Sequence, residues 1–171
     1  MTMLKPAELM NSLKFSLLLT LLLCSALVHA DQFQSAGDAY NAGNMREAFR
    51  LFKELAEQGD AGAQAMLGGM YANGEGVPQD YREAVAWYRK AAEQGHAKAQ
   101  SGLGVKYFNG EGVPADDVLA YMWLNMAGAN GDKDAAENRL KISNQMTSAQ
   151  IERAQELSRK CFEQNYKNCG K

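Results

Sequence analysis

Apolar residues recur at helical spacing through the middle of the chain. Ala63, Leu67 and Tyr71 fall on one stripe, and a second stripe runs from Tyr81 to Ala91. Recurrence every three or four residues predicts amphipathic helices rather than strands. Polar and turn-forming residues separate the two stripes, so this region is predicted to form a helix, a turn and a second helix.

This helix pair occurs twice. Residues 61–96 and 97–132 follow each other without a gap, and at an offset of 36 they share 17 of 36 positions. Both contain the stretch NGEGVP, at Asn73–Pro78 and Asn109–Pro114. A weaker copy upstream predicts a shorter hairpin over residues 31–60. Residues 133–171 leave the register and are predicted to form capping helices, which stacked repeats require. The predicted fold class is all-α.

Local signals mark several helix ends. Asp80 followed by Glu83 is typical of an N-cap with its reciprocal acid, and Thr147 with Gln150 predicts a capping box at the last helix. Gly95 suits a left-handed helix end.

Two glycines lie inside predicted helices. Gly68 and its equivalent Gly104 occupy the same mid-helix position, where glycine costs about 1 kcal/mol relative to alanine. We therefore expect close helix packing there, with Ala84 and Ala120 as the small residues opposite.

The N-terminal segment has the pattern of a secretory signal peptide. Lysines precede an apolar run from Phe15 to Val28, and two small residues flank His29 just before a polar segment. This run is shorter than the roughly 20 residues that span a bilayer. We predict a signal peptide over residues 1–30, cleaved between Ala30 and Asp31. The alternatives are a lipid anchor at Cys24, disfavoured by Leu23 before it, and an uncleaved signal anchor.

Cleavage would leave two cysteines, Cys161 and Cys169. An even pair in an oxidising compartment predicts a disulfide. A redox dithiol is the alternative, but redox pairs usually have the spacing Cys-x-x-Cys.

The two full blocks resemble Sel1-like repeats, relatives of the tetratricopeptide repeat. The resemblance rests on Gly68, Tyr71, the stretch NGEGVPQD and the pattern A..WY.KAAEQG, and it extends over essentially the whole chain after residue 30. Residues 31–60 are more similar to an ordinary tetratricopeptide hairpin. The resemblance implies a right-handed α-solenoid and an adaptor or scaffold function, with many bacterial members in the periplasm.

The residues give little support to catalysis. His96 is the only histidine after residue 30 and is predicted to be a helix-end residue, no set of metal ligands has suitable spacing, and no cofactor motif is present. The NGEGVP stretch lacks the strand and the free backbone N–H groups of a dinucleotide loop. The net charge is −2 and the basic residues are scattered, which disfavours nucleic acid.

A partner surface is the remaining candidate site. If the first helices line a groove as in tetratricopeptide proteins, its exposed positions fall into two equivalent sets, one in each block. These positions are Ala65, Gly69, Ala72 and Asn73, then Ser101, Val105, Phe108 and Asn109. Packing of Phe108 against a neighbouring hairpin is an equally open interpretation.

The sequence thus predicts an exported, non-catalytic adaptor or scaffold of the cell envelope, in the periplasm of a Gram-negative bacterium. Its partner would be a protein or peptide, with no nucleic acid and no stable membrane insertion after cleavage. The alternative is a β-lactamase-like or peptidoglycan-directed envelope enzyme, similar to cysteine-rich Sel1-like proteins. The repeats here carry no cysteine, which departs from that subgroup.

Overall fold

The computed structural model describes residues 28–170, and every regular element in that range is helical. From α2 to α7, each helix packs against the next in the chain, whereas the last helix, α8, packs on α6. The predicted all-α class is confirmed. The helices are α1 (28–41), α2 (Met45–Glu57), α3 (Ala61–Asn73), α4 (Tyr81–Ala92), α5 (Ala97–Asn109), α6 (Asp117–Ala129), α7 (Ala135–Ser143) and α8 (Ser148–Glu163).

The core runs through the stack as two clusters. The first joins α1, α2 and α3, where Phe52 and Leu67 are fully buried. The second extends from α4 to the C-terminal turn around Trp123, Leu103 and Met122. Because each hairpin alone would expose one apolar face, stacking is what completes the core.

Buried glutamines link successive hairpins. Gln64 donates from Nε2 to the Ala56 carbonyl at 3.1 Å, and its Oε1 accepts from Gln94 Nε2 at 2.8 Å. Only 5% of Gln64 is exposed. Since a buried amide is costly unless it is hydrogen-bonded, these bonds favour this one register between the hairpins.

The same bonds recur 36 residues later. Gln100 donates to the Ala92 carbonyl and accepts from Asn130 Nδ2 at 2.9 Å. Asn130 Oδ1 in turn accepts from the Tyr166 hydroxyl at 2.9 Å. The repeated polar contact therefore ends on the C-terminal turn.

The NGEGVP turn reverses the chain by means of two left-handed glycines. Gly74 ends α3 at φ 74°, and Gly76 follows at φ 73°. Gly76 also lies against the carbonyl group of Met45, at the start of α2, so closely that no Cβ would fit. Gly112 lies in the same way on the backbone of Tyr81, at the start of α4. The second glycine of each turn thus allows the NGEGVP stretch to pack directly against the backbone of the preceding hairpin.

The helix-end predictions hold, with one difference. Asp80 accepts hydrogen bonds from Arg82 N and Glu83 N, and the Thr147–Gln150 capping box is complete. Gly95 has φ 81°. The structure shows no return bond from the Glu83 side chain, so this N-cap is one-sided.

The mid-helix glycines do allow close packing, and the nearest side chains are larger than the alanines that the sequence predicted. A Cβ on Gly68 would stand 2.7 Å from Tyr88 Cδ1, and one on Gly104 would stand 2.8 Å from Leu124 Cγ. Tyr88 and Leu124 come one helical turn after Ala84 and Ala120, so each glycine faces that later turn of the partner helix. Ala120 also lies close to Gly104, with its carbonyl oxygen 3.1 Å from the added Cβ.

The C-terminal segment closes the stack with a disulfide. Cys161 and Cys169 are bonded, with Cα atoms 5.2 Å apart. The intervening turn contains Tyr166 in the left-handed region at φ 64°, and its ring packs edge-on against Phe162. The predicted pairing is therefore present in the structure. Residues 1–27, which hold most of the predicted signal peptide and Cys24, lie outside the described residues.

Candidate partner groove

A groove of about 340 Å³ lies along α3, and we call it the α3 groove. Helix α1 forms one wall with Phe33 and Tyr40. The opposite wall contains Tyr88 of α4 together with His96 and Lys98 at the start of α5. This volume is within the range of small-ligand and peptide-side-chain pockets.

Small residues of α3 keep the α3 groove open. Gly62, Ala65 and Gly69 line it at helical spacing, and a Cβ added to Gly69 would meet only the Tyr88 hydroxyl, at 3.6 Å. The equivalent of Gly69 in the second block is Val105. The first block is thus hollow where the second block carries a side chain.

A fixed carboxylate lies at one end of the α3 groove. Glu75 accepts hydrogen bonds from the Tyr40 hydroxyl at 2.8 Å and from Asn73 Nδ2 at 3.1 Å. The hydrogen bond to Glu75, with burial and the charge of Glu75 as smaller causes, raises the pKa of Tyr40. Tyr40 therefore stays protonated and acts as a donor that orients Glu75.

Tyr88 forms the middle of the opposite wall. Burial, with a further contribution from the charge of Glu75, raises the pKa of its hydroxyl. Within residues 28–170, no side-chain or backbone group forms a hydrogen bond with that hydroxyl. The α3 groove therefore offers one neutral donor beside Gly69.

The other end carries a lysine and a histidine. Lys98 is exposed and has no carboxylate within 4.0 Å in the part of the chain that the structure describes. His96 is the N-cap of α5, accepting from Ala99 N on Nδ1 at 3.3 Å. Burial lowers the pKa of His96, opposed by the charge of Asp60 and assisted by that of Lys98. Neutral His96 therefore serves as a cap, as its helix-end prediction implied.

The structure separates the predicted groove residues. Ala65, Gly69 and Asn73 line the α3 groove, whereas Ala72 is buried. The expectation that Ala72 is exposed is therefore wrong, because this position turns toward the interior of its hairpin.

The second set differs from the first in burial. Ser101 is buried instead of exposed, Val105 and Phe108 are half-buried, and Asn109 is exposed. Phe108 packs against the larger core cluster, which is the alternative interpretation of that residue.

Sequence reasoning missed Phe33, Tyr40, Tyr88, Glu75 and Lys98. Glu75 was visible in NGEGVP but identical to Glu111, so the motif gave no reason to separate them. The usable signal was the difference between blocks: Tyr88 has Leu124 as its equivalent. Phe33 and Tyr40 come from the most divergent hairpin, where the alignment is weakest.

Two side chains of the α3 groove that could act as an acid or a base, Glu75 and His96, are already hydrogen-bonded. Glu75 is engaged by two donors and His96 by a backbone N–H, and among residues 28–170 no serine or cysteine lines the α3 groove. Between residues 28 and 170, no group of three or more His, Cys, Asp or Glu side chains is placed to hold a metal ion. In the same range, no helix has both the length and the apolar character to cross a membrane.

Comparison with known proteins identifies the repeats. The Sel1 repeat profile matches residues 35–60, 61–96 and 97–132, which is more than half of the chain. The match includes the first hairpin, which from its sequence was more similar to a tetratricopeptide unit. No curated protein sequence matches this chain.

Solved structures of Sel1-type proteins share the fold. One is c5321, described as a protective antigen of uropathogenic Escherichia coli strains with an SLR fold, at 31% identity and a TM-score of 0.76. The match covers 81% of this chain but 31% of c5321, so this chain spans about a third of that protein. A Sel1 repeat protein from Oxalobacter formigenes is 37% identical over 66% of this chain and 88% of its own, with a TM-score of 0.59.

A third structure supports the fold alone. Helicobacter pylori cysteine rich protein B is 23% identical, with a TM-score of 0.52, over 64% of this chain and 92% of its own. Together these structures confirm the α-solenoid class.

Proposed function

Because this chain belongs to the Sel1 repeat family, we propose that it is a non-catalytic adaptor or scaffold of the cell envelope and that the α3 groove binds its protein partner. Sel1 repeats generally mediate protein–protein interaction. The observation that carries the proposal is the open α3 groove itself, which lies beside Gly69 where the second block has Val105.

The α3 groove can be filled by a valine, the residue that the second block has at the equivalent position. Gly69→Val copies the equivalent Val105, and its Cβ has room beside Tyr88. We expect immobilised protein to capture a partner from envelope extract, and Gly69→Val to reduce that capture at least about ten-fold, as for loss of a central contact. Ala86→Val, at an exposed position of α4 outside the groove, is the matched control. Equal capture by all three proteins would contradict the proposal.

Export is the second part of the proposal. The signal-like N-terminus and the Cys161–Cys169 disulfide both support an oxidising compartment such as the periplasm. The proposed cleavage site, Ala30–Asp31, lies within α1, so cleavage would leave residues 31–41 of that helix. It would also remove His29, whose Nε2 is 3.1 Å from Asp60 Oδ2.

Mass spectrometry of protein from its own host tests export. We expect an N-terminus at Asp31 and a mass two hydrogens below that of the reduced chain. A diacylglyceryl group on Cys24 would show anchoring instead, and an intact N-terminus would show a retained signal segment.

Nitrocefin turnover and labelling by a fluorescent penicillin test the enzymatic alternative. We expect neither with purified protein, since no serine or cysteine of residues 28–170 lines the α3 groove. Turnover that persists after metal removal would overturn the adaptor function.

A further inference from the structure

The charges at the two ends of the α3 groove differ in sign and lack partners of their own. Glu75 is oriented by Tyr40 and Asn73, which are neutral, and no lysine or arginine of residues 28–170 lies within ion-pair distance of it. Lys98 has no carboxylate within 4.0 Å in the same range, and the Asp60 carboxylate at that end of the groove is engaged by Ala63 N and His29. An uncompensated charge fixed at a groove rim favours an opposite charge on the ligand.

The distance between the two ends sets the length of the ligand. Gly62 lies at the start of α3 and Asn73 at its end. Eleven helical steps of 1.5 Å span about 17 Å. An extended chain rises about 3.3 Å per residue, so about five residues would bridge the groove.

The middle of the α3 groove suits an apolar side chain. Ala65 and Gly69 leave space there, and Met66 and the ring of Tyr88 provide apolar walls. The Tyr88 hydroxyl, which has no hydrogen-bond partner in residues 28–170, lies beside Gly69 and can donate to a peptide carbonyl.

We propose that the α3 groove binds an extended peptide segment of about five residues with a lysine or arginine at the Glu75 end, an apolar side chain over Gly69, and an acidic residue at the Lys98 end. This rests on the proposed function and names the chemistry of the partner. Glu111, the equivalent of Glu75, serves no such purpose, because Lys106 already neutralises it.

Capped synthetic peptides test the proposal directly. The probes are acetylated, amidated peptides of the form Lys-Ser-Leu-Ser-Glu, its reverse Glu-Ser-Leu-Ser-Lys, and versions with glutamine, lysine or glutamate at both ends. Binding is followed by NMR titration at low ionic strength. We expect the better of the two mixed-charge peptides to bind roughly five-fold tighter than the glutamine peptide, as for two exposed ion pairs.

Charge reversal of one rim should change the preference. Glu75→Lys should make the peptide with glutamate at both ends the tightest ligand, whereas Lys98→Glu should favour lysine at both ends. Glu111→Gln is the matched control for Glu75→Gln, and only Glu75→Gln should reduce the mixed-charge preference. Circular dichroism of each variant checks that the helices are retained.

The proposal is overturned if mixed-charge and glutamine peptides bind equally, or if Glu75→Lys leaves the preference unchanged in a folded protein. The captured protein could depend on the groove, because Gly69→Val abolishes its capture, and yet contain no segment with this charge pattern. That result would support the adaptor function and contradict the peptide proposal. If Gly69→Val captures the partner as well as the parent protein does, the α3 groove is not the binding site of the adaptor.

Discussion

The two NGEGVP turns are identical in sequence and differ in what their glutamates do. Glu75 accepts hydrogen bonds from Tyr40 and Asn73 at the end of an open groove. Glu111 forms an ion pair with Lys106, which also lies over the ring of Tyr81. Met70 is the equivalent of Lys106 in the first block. The motif thus determines the turn, and the residues around it determine whether its acid is available to a ligand.

Breaking the shared backbone feature should have the largest effect. Gly76→Ala and Gly112→Ala each place a Cβ against the backbone of the preceding hairpin at positive φ. Left-handed strain of about 1–2 kcal/mol and overpacking of about 1–3 kcal/mol together predict a loss near 3 kcal/mol. Denaturant unfolding measures it.

Gly43→Ala provides the control for that loss. Gly43 has φ 78°, and a Cβ there would meet no atom within 4 Å. It should lose only the strain, about 1–2 kcal/mol. If Gly43→Ala and Gly76→Ala were equally destabilising, close contact with the preceding hairpin would not explain the second glycine.

Removing the disulfide should have the next largest effect. The C-terminal segment lacks an NGEGVP turn, and the Cys161–Cys169 bond constrains it instead. Chain entropy for a loop of this length predicts a loss of about 2.6 kcal/mol in Cys161→Ser with Cys169→Ser. Thermal unfolding of the double variant against the oxidised parent measures it. No change in stability would mean that the contacts of Tyr166 alone hold this turn.

Gly69→Ala should stabilise the protein. Alanine gains about 1 kcal/mol over glycine inside a helix, and the new Cβ meets only Tyr88 Oη at 3.6 Å. Gly68→Ala at the neighbouring position should instead destabilise it, because its Cβ would overlap the Tyr88 ring. Denaturant unfolding checks both expectations, since the unfolding midpoint should rise in Gly69→Ala and fall in Gly68→Ala. Destabilisation by both would mean that the first block is not hollow at Gly69.

Lys106→Met should give the second block the residue of the first. The hydrogen bond from Lys106 holds the pKa of Glu111 below its usual value, with the lysine charge and Asn109 as smaller causes. We expect that pKa to rise in the variant, as followed by NMR titration. Because the folded pKa is lowered, the pair stabilises above the unfolded value and the effect is lost as pH falls through the folded one. The stability change at neutral pH should be below about 1 kcal/mol, as for an exposed pair.

The smallest effect should come from the helix cap. Asp60 and His96 cap equivalent helices, and the His96 cap is an imidazole, which loses its acceptor when it is protonated. Burial lowers the folded pKa of His96, so its stabilisation is complete above the unfolded value, about 6.5, and is lost as pH falls below it. His96→Asn should keep the cap and weaken this acid sensitivity. Equal losses of stability between about pH 7.5 and pH 5.5 in both proteins would contradict this assignment.

The repeat architecture was predictable because it depends on local signals. The glycine at the end of α4 and the Thr147 capping box act within one or two helical turns, and the 36-residue period repeats such local signals. The α3 groove was less predictable, because the exposure of its residues depends on how neighbouring hairpins pack. Ser101 occupies the same repeat position as Ala65, yet Ser101 is buried whereas Ala65 lines the α3 groove, and the repeat pattern alone does not separate them.

The same limit explains the mid-helix glycines. Their need for close packing follows from sequence, but the identity of the nearest side chain to Gly68, Tyr88, does not, because the phase between two helices is a tertiary property. Likewise, Phe33 and Tyr40 enter the α3 groove from a hairpin whose turn is shorter than those of the full repeats. An alignment of the repeats shows neither the phase between packed helices nor the position of the first hairpin beside α3.

Photo-crosslinking at two equivalent asparagines tests the central claim that only the first block binds a partner. Asn73 and Asn109 are both exposed and occupy the same place in the repeat, but only Asn73 lines the α3 groove. A benzophenone amino acid at position 73 should crosslink to the partner in envelope extract, and the same group at position 109 should give little or none. Equal crosslinking at both positions, or crosslinking at position 109 alone, would contradict the account.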